Sequence, residues 1–261
     1  MRYLRIFGLY FRIGAMGEMQ YRFNFLVHLF QSIVQLGMAL GGLAVIFSYT
    51  TTLGGWVPDE VLALVGVYTL VGGLIGLVVY PSMEQFIMSV RDGMLDFALV
   101  KPVDAQLLNS LQSVDIWRLI DVALGLAVLL VALARLGAQI GLAQATLFLG
   151  MLLTGSAIIY SFWTILATLS FWFVRVENIL EIFRGMYEAG RWPISLYPPW
   201  LRFILTFIVP VAFVTSVPVE ALTGRLSLQT LLLGAFFAVI LLVVSRLFWK
   251  RGLRQYSGAS A

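Results

Sequence analysis

Long apolar stretches alternate with polar connectors along this chain. The stretches lie at approximately 24–49, 60–80, 112–134, 142–173, 201–222 and 227–248. Each is close to the roughly 20 residues that a helix needs to cross the hydrocarbon core of a bilayer. A membrane barrel would instead show segments of about ten residues with alternating hydrophobicity. The pattern therefore predicts an all-α integral membrane protein, with six transmembrane helices in a domain of residues 23–250.

The distribution of basic residues predicts the orientation of these helices. All but two of the 17 Lys and Arg residues fall on alternate connectors, and the exceptions are Arg135 and Arg225. Cytoplasmic segments of membrane proteins retain Lys and Arg, so both termini are predicted to be cytoplasmic. We therefore expect a multi-pass protein of a bacterial cytoplasmic (inner) membrane, with residues 251–261 as a cytoplasmic tail.

Composition excludes a water-soluble domain and changes the interpretation of the net charge. Apolar residues make up 61% of the chain and charged residues 11%, too few charges for a water-exposed surface. We attribute the net charge of +4 to membrane anchoring and expect no nucleic acid partner.

Residues 1–22 place aromatic and aliphatic side chains at helical spacing among arginines, which predicts an interfacial helix beside anionic lipids. The alternative is a simple positive anchor.

Two long connectors are predicted to contain short amphipathic helices on the cytoplasmic side. The first follows the second span, where Gly93 can interrupt a helix and Pro102 ends it. The second, at about 174–200, combines an apolar stripe with charged positions that include Glu177, Glu181 and Arg184. Such helices are a platform for a soluble partner, or they merely cover the lower face of the bundle.

Charged and proline residues mark two further places. Asp115, Arg118 and Asp121 share one face at the start of the third span, which favours a structural ion cluster at the membrane boundary over a proton relay. The fifth stretch contains Pro210 and Pro218, followed by Glu220. Prolines break helices, so we expect a kink near Pro210, an end near Pro218 and a short re-entrant segment around 217–224.

No enzyme constellation is present in the sequence. The chain has no Cys, no GxxxxGK[ST] phosphate loop and a single histidine, His28, which we interpret as a packing residue in the first span. We therefore expect no catalytic residues, metal site or cofactor in this chain. Several glycines are expected to make close helix contacts. They are Gly37, Gly41, Gly42, Gly66, Gly72, Gly73 and Gly76.

The connector GMLDFALVKPVDAQ and the fifth stretch VPVAFVTSVPVEAL resemble those of permease subunits of ABC type-2 exporters. The resemblance is closest to a compact branch usually encoded as two permeases with one ATPase. It implies an elbow helix at 1–22, a coupling helix within 84–102, a second cytoplasmic contact at 176–190 and an outer re-entrant element at 210–224. The candidate coupling residues are Glu84, Arg91, Asp92, Gly93, Leu95, Asp96, Leu99, Lys101, Pro102, Glu177, Glu181 and Arg184. The candidate gate residues are Pro210, Pro218 and Glu220.

The expected function is that of a transmembrane permease subunit of an ATP-driven exporter. It would move an amphipathic or lipid-like substrate out of the cytoplasm or inner leaflet. ATP and Mg would bind to separate ABC-type ATPase subunits, and a second permease, homologous or identical, would complete the pathway among membrane lipids. One alternative is a membrane scaffold or assembly protein without a transport pathway. An ion-coupled carrier is disfavoured because the span interiors carry few charges.

Overall fold

The computed structural model describes residues 2–18, 22–137, 141–173 and 176–256, and side chains at 2–7, 18, 22 and 177 lie outside this description. Its helices are α1 Arg2–Glu18, α2 Arg22–Tyr49, α3 Pro58–Arg91, α4 Asp96–Leu99, α5 Ala105–Asn109, α6 Leu119–Leu136, α7 Leu142–Thr168, α8 Glu177–Tyr187, α9 Pro199–Phe203, α10 Ser216–Leu222 and α11 Leu228–Leu253. Short 3-10 turns extend α6 at its start, α7 to Phe171 and α8 to Arg191. The all-α prediction is confirmed for the described residues.

Five helices of the described chain are long and apolar enough to cross a membrane. They are Phe23–Tyr49, Pro58–Arg91, Ile116–Leu136, Leu142–Phe171 and Leu228–Leu253. The predicted stretch at 201–222 holds no such helix, because its apolar helix ends at Ile208. We name the two ends of the bundle after the connectors that lie there. The end with the connectors 50–57 and 223–227 is called the short-connector end, and the end with the connector 92–118 is called the long-connector end.

Helix α3 is 34 residues long and continues beyond the predicted end of the second span at residue 80. A π turn at Ile75–Val79 precedes Pro81, which has no N–H to donate to the carbonyl of Leu77. That carbonyl instead accepts a hydrogen bond from the N–H of Asp115, at 2.9 Å. The proline is therefore tolerated within the helix, and the start of α6 is attached to α3 where its hydrogen bonding is altered.

Small residues bring α3 and α6 into backbone contact. A methyl group on Gly66 would lie 2.7 Å from the N atom of Leu129, and one on Gly125 would overlap the backbone of Leu70. The close contacts predicted for Gly66, Gly72, Gly73 and Gly76 are confirmed. Those predicted for Gly37, Gly41 and Gly42 on α2 are wrong within the described chain, since no atom lies within 4 Å of an added methyl there.

The segment 177–196 runs along α3 instead of lying across one end of the bundle. Near its start, Glu181 and Arg184 contact Tyr80. One turn later the Tyr187 hydroxyl donates a hydrogen bond to the carbonyl of Tyr68, at 3.0 Å. The segment ends at Leu196, which packs against Gly54 in the connector before α3. The described residues of the predicted connector at 174–200 therefore do not lie across the ends of the spans, because these contacts advance along most of α3. The side of the membrane on which this segment lies stays a prediction.

Residues 199–222 form a hairpin that enters and leaves at the short-connector end. The hairpin descends through Pro199–Ile208 and turns at 209–215, where Phe213 and Val214 pack against Gly155 in the middle of α7. It returns through α10 to Arg225, whose guanidinium donates to the carbonyl of Gly55 at 2.8 Å. The residues of the predicted fifth span at 201–222 therefore do not form one long helix, and the place of the fifth crossing stays a prediction.

The two prolines of this hairpin act differently from the prediction. The descending helix ends before Pro210, because the residue preceding a proline is disfavoured in the helical region and Val209 is extended (φ −119°, ψ 89°). Pro218 does not end a helix. It lies in the first turn of α10, where a missing N–H costs nothing. The residues of the re-entrant element predicted at 210–224 belong to this hairpin, which begins earlier, at Pro199. A re-entrant position in a membrane stays a prediction.

Helix α1 packs against the long connector that follows α3. Gly14 allows α1 to approach the carbonyl of Val114, to which an added methyl would be 3.1 Å distant. Farther along, the Lys101 ammonium donates to the Tyr10 hydroxyl at 3.4 Å. The helix and the connector therefore share one surface. An interfacial position of α1 in a membrane stays a prediction.

Candidate functional site

A cavity of about 350 Å³ lies between α2, α3, the segment 115–121 and α8 with its 3-10 extension. Its polar lining consists of Ser32, Gln35, Tyr68, Thr69, Tyr80, Glu84, Asp115, Arg118, Asp121, Arg184, Tyr187, Glu188 and Arg191. Ligand sites in proteins usually occupy about 300–1,000 Å³ and combine apolar walls with a few convergent polar groups. The size of this cavity matches that description, whereas its lining is more polar than usual. His28 is not part of the lining.

Glycines on α3 make room for the side chains of two cavity walls. The Arg118 side chain crosses Gly76, where an added methyl would be 3.0 Å from its Cδ. The Tyr187 ring lies over Gly72, where the corresponding distance is 3.3 Å. Gly76 lies within the π turn of α3, and Gly72 lies three residues before the turn begins. A side chain at either position would push a wall of the cavity outwards.

Asp115, Arg118 and Asp121 come together on one wall of the cavity. Arg118 is shared by both carboxylates, with nitrogen–oxygen distances of 3.5 Å to Asp115 and 3.3 Å to Asp121. The Ser32 hydroxyl on α2 donates a 2.5 Å hydrogen bond to Asp121. One guanidinium therefore faces two carboxylates, and the cluster carries one negative charge more than it carries positive charge.

Two arginines of α8 and its extension lie over tyrosine rings of α3. The Arg184 guanidinium is 4.9 Å from the ring centre of Tyr80, and the Arg191 guanidinium is 5.5 Å from that of Tyr68. Tyr187 stacks on Tyr68 with ring centres 4.9 Å apart and an angle of 18° between the planes. Sequence reasoning missed this aromatic wall, because its arginines were assigned to a connector.

The candidate coupling residues after α3 lie on an exposed surface. Arg91 and Asp92 form an exposed ion pair of 3.1 Å, and Gly93 turns the chain with a positive φ of 71° that favours glycine. Leu95 is fully buried and anchors the turn, whereas Met94, Phe97 and Val100 are 56%, 66% and 81% exposed. Asp96 begins α4, Leu99 packs on the core, and Lys101 and Pro102 are exposed.

The remaining candidates of the coupling set are not on this surface. Glu84 lines the cavity, and Arg184 lies over Tyr80 and 3.5 Å from Glu181. The side chain of Glu177 lies outside the described residues. The candidate coupling residues at 91–102 and those on α8 therefore lie in different places and do not form one surface.

An ion pair that sequence reasoning missed ties this connector to the last long helix. Arg246 on α11 donates to Asp104 Oδ1 at 3.0 Å and to Gln106 Oε1 at 2.8 Å, and it makes a second hydrogen bond to the other oxygen of Asp104. Partial burial disfavours ionisation of Asp104, but the hydrogen bonds from Arg246 and from the Leu107 N–H outweigh it and hold the pKa below its ordinary value. The carboxylate is therefore ionised at neutral pH.

The short-connector end pairs both of the arginines that break the charge alternation. Arg225 lies 2.8 Å from Glu60, whose side chain is 7% exposed, and over the ring of Trp56 at 5.8 Å. Arg135 lies 3.7 Å from Asp59. The hairpin is thereby attached to the start of α3. Of the candidate gate residues, Pro210 is in the buried turn, and Pro218 and the half-buried Glu220 lie on α10.

Comparison with known families supports an assignment for the chain as a whole. Residues 33–260 match the family described as "ABC-2 family transporter protein". The match covers most of the chain, so the protein belongs to the ABC-2 transporter family. No curated protein and no solved structure matches the chain.

Proposed function

From its membership of the ABC-2 family we propose that this protein is the transmembrane subunit of an ATP-driven exporter. The family indicates the membrane component of an ABC transporter, and permeases of this family generally work with an ATPase subunit. The proposal adds the direction, an amphipathic substrate from the cytoplasm or inner leaflet, and a second permease that completes the pathway. One observation carries the coupling to an ATPase, namely the exposed apolar surface after α3.

The length of α3 supports a position of that surface outside the membrane. At about 1.5 Å per residue its 34 residues extend about 51 Å, whereas the hydrocarbon core is about 30 Å thick. If the short-connector end lies at one membrane surface, Arg91 lies well beyond the other. Met94, Phe97 and Val100 would then face water, where exposed apolar side chains mark an interaction surface. An ATPase subunit is the partner that the family supplies.

The Asp104–Arg246 ion pair connects this exposed surface mechanically to the helix bundle. The connector packs against α1 through Lys101 and is held to α11 through Asp104. Movement of a docked ATPase would therefore displace the lower ends of both helices together. We propose that this linkage converts closure of the ATPases into rocking of the bundle.

We further propose that 177–196 is the fifth membrane crossing and that 199–222 is re-entrant from the outer side. Both termini then remain cytoplasmic, as the positive-inside pattern predicts. The cavity lies between the first, second and fifth crossings. Its charged groups converge on one cavity, where Arg118 pairs with Asp115 and Asp121, and paired charges of this kind are tolerated within membrane proteins.

A matched pair of substitutions tests the docking surface. We expect Phe97→Asp to abolish co-purification of an ATPase, or its stimulation by the permease, because a charge would enter the centre of the apolar surface. Val57→Asp is the control, since Val57 is also exposed and apolar (38%) but lies at the opposite end. Both variants should insert and show the elution profile of the wild type in detergent.

Wild-type ATPase coupling in Phe97→Asp would refute the docking assignment. If the wild-type protein purifies from its native membrane without a stoichiometric ATPase, and ATP-dependent flux is absent, the scaffold alternative would replace the proposal. Transport that is driven by a proton or sodium gradient without ATP would favour an ion-coupled carrier instead.

A further inference from the structure

The cavity between α2, α3 and α8 carries more negative than positive charge. Four carboxylates line it, and three guanidinium groups oppose them. Arg118 is shared between Asp115 and Asp121, and Arg184 pairs at 3.5 Å with Glu181, which lies just outside the lining. Counting Glu181, the site has two more carboxylates than guanidinium groups. The lining therefore carries both signs with a negative excess, and a negative excess in a cleft attracts cations.

Two carboxylates of the cavity are left for a ligand. Within the described residues, neither Glu84 nor Glu188 has a cationic nitrogen inside 4.0 Å. Glu188 lies beside the stacked Tyr68 and Tyr187, and Glu84 lies about a turn beyond Tyr80 towards the long-connector end. The two acids therefore mark the upper and lower parts of one groove.

The aromatic wall of the cavity is in contact with two cationic side chains of the protein itself. The rings of Tyr68 and Tyr80 each carry a guanidinium of this chain at cation–π distance. A delocalised organic cation presents the same chemistry as a guanidinium, namely a positive charge spread over a flat or apolar body. Leu36, Ala39 and Ile75 supply apolar surface in the same cavity.

We propose that this cavity binds the cationic headgroup of an amphiphilic substrate, with Glu84 and Glu188 as its charge partners and the tyrosines as its aromatic wall. The assignment rests on the proposed function, since it names the class of substrate for the same pathway. An anionic headgroup would have Arg191 as its partner, but it would meet the surplus of carboxylates. The negative surplus therefore selects against anions.

A pair of ions with the same shape and opposite charge tests the proposal. Tetraphenylphosphonium and tetraphenylborate have nearly the same size, so apolar burial is matched and the sign of the charge differs. We expect the purified wild-type protein in detergent to bind the phosphonium at least tenfold more tightly, as measured by equilibrium dialysis without nucleotide. Glu188→Gln and Glu84→Gln should each weaken phosphonium binding about tenfold, which corresponds to about 1.4 kcal/mol. Asp59→Asn, a carboxylate at the short-connector end outside the cavity, should leave it unchanged.

Arg191→Gln gives an effect of the opposite sign that a folding defect would not produce. Removal of this positive charge should tighten phosphonium binding severalfold. Preferential binding of tetraphenylborate, or unchanged phosphonium affinity in both glutamine variants, would overturn the proposal. Because dialysis needs no ATPase, such a failure leaves the exporter assignment standing. Conversely, binding of the phosphonium by a protein that has no ATPase partner would retain the site and refute the exporter.

Discussion

The ion pair between Arg225 and the buried Glu60 should be a main attachment of the hairpin at 199–222. Glu60 is almost completely buried, and its two oxygens accept from Arg225 at 2.8 Å and from the Val57 N–H at 2.9 Å. Removal of one partner of a buried pair usually costs about 3–5 kcal/mol, because the other charge is left without compensation. Arg225 is 39% exposed and Glu60 keeps its backbone hydrogen bond, so we expect a smaller loss of about 2–3 kcal/mol for Arg225→Ala.

A double-mutant cycle isolates that interaction. Glu60→Gln keeps an acceptor for the Val57 N–H and removes the charge, so the double variant with Arg225→Ala should recover at least about 1 kcal/mol of the loss. Unfolding in detergent micelles, followed by tryptophan fluorescence, measures each corner of the cycle, and Trp56 lies directly beside Arg225. A coupling energy below about 0.5 kcal/mol, within the usual error of additivity, would refute the reasoning.

The same end of the bundle supplies a matched control. The Asp59–Arg135 pair has a longer separation, 3.7 Å, and its side chains are 37% and 63% exposed. Exposed pairs of this kind contribute about 0–1 kcal/mol. Arg135→Ala should therefore change the free energy of unfolding much less than Arg225→Ala. Equal effects of the two substitutions would mean that burial does not determine the contribution.

Two further predictions concern packing and the connector. Gly125→Ala should destabilise the bundle by about 1–3 kcal/mol, because its methyl would overlap the backbone of Leu70, whereas Gly150→Ala, with open space around it, should be neutral or stabilising in the same unfolding assay. Asp104→Asn should reduce ATPase stimulation while costing about 1 kcal/mol or less in unfolding, because the Arg246 pair is partly exposed. Since the pKa of Asp104 is lowered by folding, its contribution is complete above the ordinary carboxylate pKa and is lost as the pH falls through the folded-state pKa. The unfolding free energies of Asp104→Asn and wild type should therefore converge in acid.

Hydropathy predicted the long helices because a lipid-facing helix must be continuously apolar. It does not identify the segment 177–196, because the polar side of that segment faces a cavity and its five charged residues give it the composition of a connector. Hydropathy also does not identify the hairpin at 201–222, whose turn and returning arm are buried by protein. Val211, Phe213 and Val214 are each about 1% exposed. In both places the surroundings of these side chains depend on how distant parts of the chain pack together, and a single sequence does not contain that information.

The same two segments also contribute arginines to the positive-inside pattern from which the orientation was predicted. Arg184, Arg191 and Arg202 were counted as cytoplasmic, but the first two line the cavity and the third donates to the carbonyl of Ser195 at the short-connector end. The predicted orientation does not depend on them, since the groups before α2, after α3 and at the end of α11 show the same asymmetry. The connector at 91–102 was predicted better, because Gly93 and Pro102 limit local backbone geometry irrespective of the surroundings.

The position of Ser195 provides a direct test of how the chain crosses the membrane. A cytoplasmic connector at 174–200 would place Ser195 on the same side as Val100, whereas the structure places it beside Gly54, with 3.6 Å between its Oγ and a methyl added there. The chain has no Cys, so single cysteines need no altered background. We expect a membrane-impermeant maleimide to label Ser195→Cys from the side that labels Thr51→Cys and not from the side that labels Val100→Cys. Labelling of Ser195→Cys together with Val100→Cys would restore 201–222 as the fifth crossing, and the cavity would lose its third wall.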